Sequence, residues 1–171
     1  MTLLRDGRYR GPLYRALNPV YAREPLSGRG ARLYGGRFNR KGTPALYTAL
    51  APTTALREAN QVGTLQPTAL VSYHADLGPI FDSCDTAAIA TFGTNVEALA
   101  DPGWRSAMLN RRLAPTQVLA ESLVADGFVG MLFRSFADGA SRDNLNLVLW
   151  RWMAEDCALE VVDDENRLWR M

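Results

Sequence analysis

Histidine and cysteine are scarce in this 171-residue sequence, with one His and two Cys. A lone histidine, His74, excludes a multi-histidine metal centre within one chain, and no metal is expected. Cys84 and Cys157 have no metal-ligand spacing, and one disulfide in a chain of this length would not be a framework. They read as free thiols of a cytoplasmic protein. No run of about 18 apolar residues occurs, so no helix is expected to span a membrane. Residues 1–15 mix charges with single apolar residues and lack the continuous apolar stretch of a signal peptide. An excess of one charge is lacking too: 19 basic and 18 acidic residues give a formal net charge of +1. That balance provides no electrostatic footprint for duplex nucleic acid and no charged tail. No Walker phosphate loop occurs, Leu33 stands where a dinucleotide fingerprint would need its third glycine, and no Gly-x-Ser-x-Gly elbow is present.

What is present is enough apolar sequence, 47%, to build one core. One domain over residues 1–171 is the expectation. Residues 7–44 are rich in Gly, Arg, Pro and Tyr, and the stretch from Ser27 to Gly42 has no hydrophobic period; it reads as a long functional loop with at most a short strand. A strand is predicted over 45–49 and a helix over 52–62, opened by Pro52. Another strand covers 66–76, with short helices around 84–91, 95–100 and 104–112. The clearest helix runs from Pro115 to a stop at Gly127, with Val118, Leu119, Ser122 and Leu123 on one side. Strands follow over 128–133, 145–152 and 158–162. These elements predict an α+β domain with a mixed, mostly antiparallel sheet and flanking helices.

Four features could carry chemistry, each with a plainer alternative. Arg29, Arg32, Arg37, Arg40 and Lys41 lie among glycines, where guanidinium forks and close backbone approach suit a pyrophosphate; a solvated basic loop is the plainer reading. Glu58 falls at the edge of the apolar arc Ala55, Ala59 and Val62, and so either lines a pocket or pairs with a neighbour such as Arg57. Tyr47 sits just before that helix, near enough to share a pocket wall with Glu58 or else to be a core tyrosine with a satisfied hydroxyl. Ser135 follows a buried strand, at a site or simply at the start of a loop. His74, on an alternating strand, and Trp104, Trp150, Trp152 and Trp169 read as structural. Nothing fixes Asp76, Asp82 and Asp85 as a metal site.

The order of these features along the chain is more specific than any one of them. The segments Leu13–Ala16, Ser27–Asn39, Gly42–Tyr47, Ala55–Glu58, Phe133–Ser135 and Asn146–Trp150 together resemble the RES-domain family, named for an arginine, a glutamate and a serine, over residues 13–151. Phe38 stands where many members have tryptophan, and the loop 136–144 lacks the family's common Pro-Gly-Gly turn. The resemblance implies a fold related to ADP-ribosyltransferases and the role of toxin in a bacterial type II toxin–antitoxin system. It implies NAD⁺ as substrate, cleaved at the nicotinamide–ribose bond by hydrolysis, by phosphorolysis or by transfer of ADP-ribose to a protein. It also implies a cognate antitoxin, of helix-turn-helix type, that blocks the site. By motif position Arg37, Glu58 and Ser135 would be the family arginine, glutamate and serine. Tyr47 would be the family tyrosine and Arg15 an earlier arginine, so that Arg15, Arg37, Tyr47 and Ser135 would bind NAD⁺ around Glu58. The acceptor stays open between water, phosphate and a protein side chain, and a non-catalytic nucleotide-binding or interaction domain is the reading of another class.

Overall fold

The computed structural model describes residues 3–61 and 64–169, with the side chain of Trp169 outside the description. Its framework is one eight-stranded sheet. The strands are β1 (Leu4–Arg5), β2 (Arg8–Leu17), β3 (Leu46–Ala49), β4 (Ala69–Leu77), β5 (Ile80–Asp82), β6 (Gly130–Arg134), β7 (Leu145–Leu149) and β8 (Ala158–Val161). They lie in the order β5-β6-β7-β3-β2-β4-β8, with β1 paired to β2. Among the described residues only β5 and β6 run parallel, so the predicted mixed, mostly antiparallel sheet is what the chain forms. The helices are α1 (Arg29–Tyr34), α2 (Pro52–Ala59), α3 (Thr86–Ala90), α4 (Trp104–Leu109) and α5 (Pro115–Ala125).

One junction in this sheet makes the site. β2 pairs with β4 from Tyr9 to Leu17, and β3 pairs with β7 over its full length. Between β2 and β3 the register holds a single pair, Tyr14 with Ala49. Beyond that pair, Arg15–Leu17 of β2 part from Tyr47 and Thr48 of β3, and a cleft opens in the sheet. A backbone edge left unpaired inside a domain is tolerable where a ligand or water satisfies it.

Each face of the sheet has its own core. Leu13, Leu46, Tyr73, Leu132, Leu147 and Leu149 fill one face; Phe38, Ile89, Leu99, Leu123, Met131, Phe133 and Val148 fill the other. β6 and β7 contribute to both faces, and their sequences therefore read as continuous apolar runs. Asp85 caps α3 by accepting from Ala87 N at 2.9 Å and Ala88 N at 3.1 Å. Gly127, at φ 94°, ends the chain path after α5 as its sequence position predicted.

The longest described strand was not predicted, and three expectations need correction. That strand is β2, whose inward positions Tyr9 and Leu13 are separated by a glycine that hides the alternation. The Ser27–Gly42 stretch contains α1, a helix with no fully buried residue and so no hydrophobic period. α2 stops at Ala59, which is exposed; Val62 lies outside the described residues. The buried face of α5 is Thr116, Gln117, Leu119, Ala120 and Leu123, while Val118 and Ser122 face outward. The rotation follows from Gln117, whose amide is drawn inward to the carbonyls of Gly36 and Asn39 at 2.9 and 3.2 Å.

Candidate active site

The cleft between β2 and β3 continues into a cavity of about 380 Å³, within the range of small-molecule sites. Its walls come from Arg15 on β2, Arg37 and Phe38 after α1, Tyr47 on β3, Glu58 on α2, Trp104 and Arg105 on α4, Phe133 and Phe136 around the end of β6, and Asn146 on β7. Arg15, Arg37, Tyr47 and Glu58 therefore meet in one cavity from four separate segments. Ser135 is not among the lining residues; it is buried behind Glu58.

Glu58 is anchored by neutral donors. Its Oε1 accepts from Ser135 Oγ at 2.5 Å and from Asn146 Nδ2 at 2.5 Å, and its Oε2 accepts from Gln61 Nε2. The sequence offered Arg57 as an ion-pair partner, but Arg57 donates instead to Asn144 Oδ1 at 2.8 Å. Glu58 forms no ion pair among the described residues. Hydrogen bonds from uncharged groups orient a carboxylate without cancelling its charge.

Arg37 reaches across to the segment before α4, donating from Nη1 to Leu99 O at 2.8 Å and Asp101 O at 2.7 Å. Its guanidinium lies 4.7 Å from the Phe136 ring centre and 5.7 Å from that of Trp104. Burial, and then the like charge of Arg105, pull its pKa below the ordinary arginine value. Arg15 donates from Nη1 to Pro25 O at 2.8 Å.

Tyr47 has a hydroxyl that is already spoken for: it donates to Asn39 Oδ1 at 2.7 Å and accepts from Phe38 N at 3.0 Å. Burial pushes this phenol well above the usual tyrosine range, with Phe38 N–H and Arg37 pulling the other way. Its ring lines the cavity while its hydroxyl fixes the turn that presents Arg37.

The glycine-rich loop is built for packing more than for cradling an anion. A Cβ on Gly36 would lie 2.6 Å from Tyr47 Oη, and one on Gly28 would lie 2.6 Å from the Trp152 ring. Of the five basic residues in the loop, Arg37 alone lines the cavity; Arg40 pairs with Glu121 at 2.6 Å, and Arg29, Arg32 and Lys41 are exposed.

Other sequence expectations divide in the same way. Trp150 and Trp152 are anchors, donating to Phe38 O at 2.8 Å and Leu26 O at 3.1 Å, whereas Trp104 belongs to the cavity. Trp169 falls outside the described side chains. His74 is exposed on β4, away from the site. Sequence reasoning passed over Asn146, Gln61 and Arg105. Gln61 carried a signal, since its position three residues after Glu58 places it on the same helical face.

The RES domain pattern matches residues 12–171, most of the chain. The chain belongs to the RES-domain family. A stretch of 46 residues is 44% identical to Toxin Res of Photorhabdus laumondii subsp. laumondii, covering 27% of this chain and 30% of that toxin. The shared stretch thus spans under a third of the relative's length. The crystal structure of the M. tuberculosis MbcT–MbcA toxin–antitoxin complex contains a chain of the same fold, with a TM-score of 0.67 and 20% identity over 91% of this chain and 83% of that one.

Among the described residues no helix is long and apolar enough to cross a membrane.

Proposed function

We propose that this RES-domain protein cleaves the nicotinamide–ribose bond of NAD⁺ and acts as the toxin of a toxin–antitoxin pair. The observation that carries the chemistry is Glu58. Its carboxylate stands in a cavity whose other charged lining groups are arginines, and it is held there by Ser135, Asn146 and Gln61 rather than by a cation. Support for the biological role comes from the Toxin Res relative and the toxin–antitoxin neighbour.

The chemistry asks little of an acid. Nicotinamide leaves as a neutral base from a cationic ring, and positive charge builds on the ribose as in glycoside cleavage. A fixed carboxylate facing that charge stabilises the transition state more than the ground state. Glu58 fills this part and can align the attacking acceptor. The arginines grip the phosphates, Tyr47 and the surrounding aromatic rings pack against the flat groups, and Ser135 acts on Glu58 from behind. The acceptor is water or phosphate in the leading reading.

Purified protein mixed with NAD⁺, with and without phosphate and in parallel with a bacterial lysate, tests this. Free nicotinamide appearing without lysate is the expected result, and phosphate dependence names the acceptor. Nicotinamide released only alongside a labelled protein band would assign ADP-ribose transfer to a target instead. No release in either format, from folded protein, would leave a nucleotide-binding domain. The partner we propose is a helix-turn-helix antitoxin that enters the cleft. Charge reversal at Arg37 that leaves neutralisation intact would overturn its entry there.

A further inference from the structure

Neither Trp104 nor Arg105 belongs to the segments that carry the family resemblance, yet both line the cavity. The two guanidiniums of Arg105 and Arg37 lie 4.5 and 5.7 Å from the centre of the same Trp104 ring. Arg37 and Arg15 have already committed Nη1 to backbone carbonyls. Arg105 has no hydrogen bond or ion pair among the described residues, although it lines a cavity containing three arginines and one carboxylate. Trp104 adds a buried indole N–H with no acceptor among the described residues. A buried donor without a partner costs free energy, and two guanidiniums gathered at one ring repel each other until an anion neutralises them. Burial first, and then the like charge of Arg105, lower the pKa of Arg37.

We propose that Arg105, stacked on the Trp104 indole, joins Arg37 beside the same ring to bind the diphosphate of a dinucleotide. Two planar forks match the oxygens of adjacent phosphates, and the indole fixes the planes in which the forks lie. Assigning the diphosphate to NAD⁺ rests on the function proposed above; the affinity for a diphosphate does not. The site also divides labour within the cavity: Glu58 on α2 faces the bond that breaks, while α4 holds the part of the substrate that stays intact.

The test titrates inorganic pyrophosphate and, separately, ADP-ribose into the full chain, followed by calorimetry and tryptophan fluorescence. Arg105→Ala should weaken both ligands about 10-fold or more, the loss of one charge-assisted fork. Arg105→Lys should recover only part of that, because an ammonium lacks the fork. Arg5→Ala, which removes the same charge from exposed β1, should bind as the wild type does. Trp104→Phe should abolish the ligand-dependent fluorescence change. Arg105 is exposed and makes no hydrogen bond or ion pair among the described residues, so an unchanged thermal midpoint in Arg105→Ala is expected and excludes loss of fold. Binding of both ligands within twofold of wild type in Arg105→Ala would overturn the proposal, as would a wild-type protein that binds neither. Arg105-dependent binding of pyrophosphate without binding of ADP-ribose or NAD⁺ would keep the anion site and remove the NAD⁺ function. ADP-ribose binding that ignores Arg105 would do the reverse.

Discussion

Ser135 Oγ donates to Glu58 Oε1 at 2.5 Å from a buried position behind the cavity wall. Ser135 thus holds Glu58, and in the function proposed here the two act as one device. Glu58→Gln keeps the size of the side chain and removes the charge, so turnover of NAD⁺ should fall about 10²-fold or more. Ser135→Ala leaves the charge but loosens its direction, and kcat should fall about 10-fold with KM nearly unchanged. A rise in KM with kcat preserved would mean that Ser135 touches substrate instead.

Asn146 provides the second donor to the same oxygen, and its own Oδ1 is buried without a partner among the described residues. Asn146→Asp places a second carboxylate against Glu58. Two carboxylates at hydrogen-bond distance share a proton, which raises one pKa strongly. Asn146→Asp should therefore lose more activity at neutral pH than Asn146→Ala does, because the shared proton removes the charge that Glu58 supplies. The pH–rate profile of kcat should move its acidic limb upward in Asn146→Asp alone. Equal losses and parallel profiles in the two variants would show that only the missing donor matters.

Much of this was legible in the sequence, and the failures have physical causes. Arg15, Arg37, Tyr47 and Glu58 were nominated by motif order and do meet in one cavity. The strands β6 and β7 announced themselves because both their faces are buried. β2 did not, since Gly11 and Arg15 occupy inward positions of the kind that carries the hydrophobic alternation elsewhere in a strand. Asn146 was hidden inside an apolar run, and Gln117 was hidden on a helix where an amide looks like surface. Arg105 carries no local signal at all: its meaning comes from Arg37, 68 positions away along the chain and beside the same indole.

Two glycines of the loop should respond oppositely to alanine. A Cβ on Gly36 would meet Tyr47 Oη at 2.6 Å and Asn39 Oδ1 at 2.7 Å, the groups that fix the Arg37 turn. Gly36→Ala should lower the thermal midpoint and cut NAD⁺ turnover. Gly30 lies inside α1 with open space around its Cβ position. Gly30→Ala should leave activity alone and stabilise the fold by about 0.5–1 kcal/mol, mainly through the unfolded chain. Denaturant midpoints of the two variants against wild type check both signs.

The last prediction concerns alkaline pH. Tyr9 is 5% exposed and donates from its hydroxyl to Pro12 O at 2.6 Å. Burial, with a smaller push from Tyr14, raises its pKa from 10.0 to about 12. A phenol whose folded pKa exceeds its unfolded one stabilises the fold fully below the unfolded value, and that contribution disappears as pH climbs through the folded value. The window is therefore about pH 10 to 12, where Tyr9 should surrender on the order of 2 kcal/mol. Tyr47 and Tyr73, raised by burial as well, push the slope in the same direction. Tyr9→Phe loses a hydrogen bond at neutral pH, yet its stability should fall less steeply with pH across this window than the wild type's. Urea midpoints measured at intervals through the window separate the two effects: the neutral offset reports the bond to Pro12, and the slope reports the proton. A wild-type slope retained in Tyr9→Phe would move the alkaline transition to the other two phenols, with Tyr47, at the turn that presents Arg37, the next to replace.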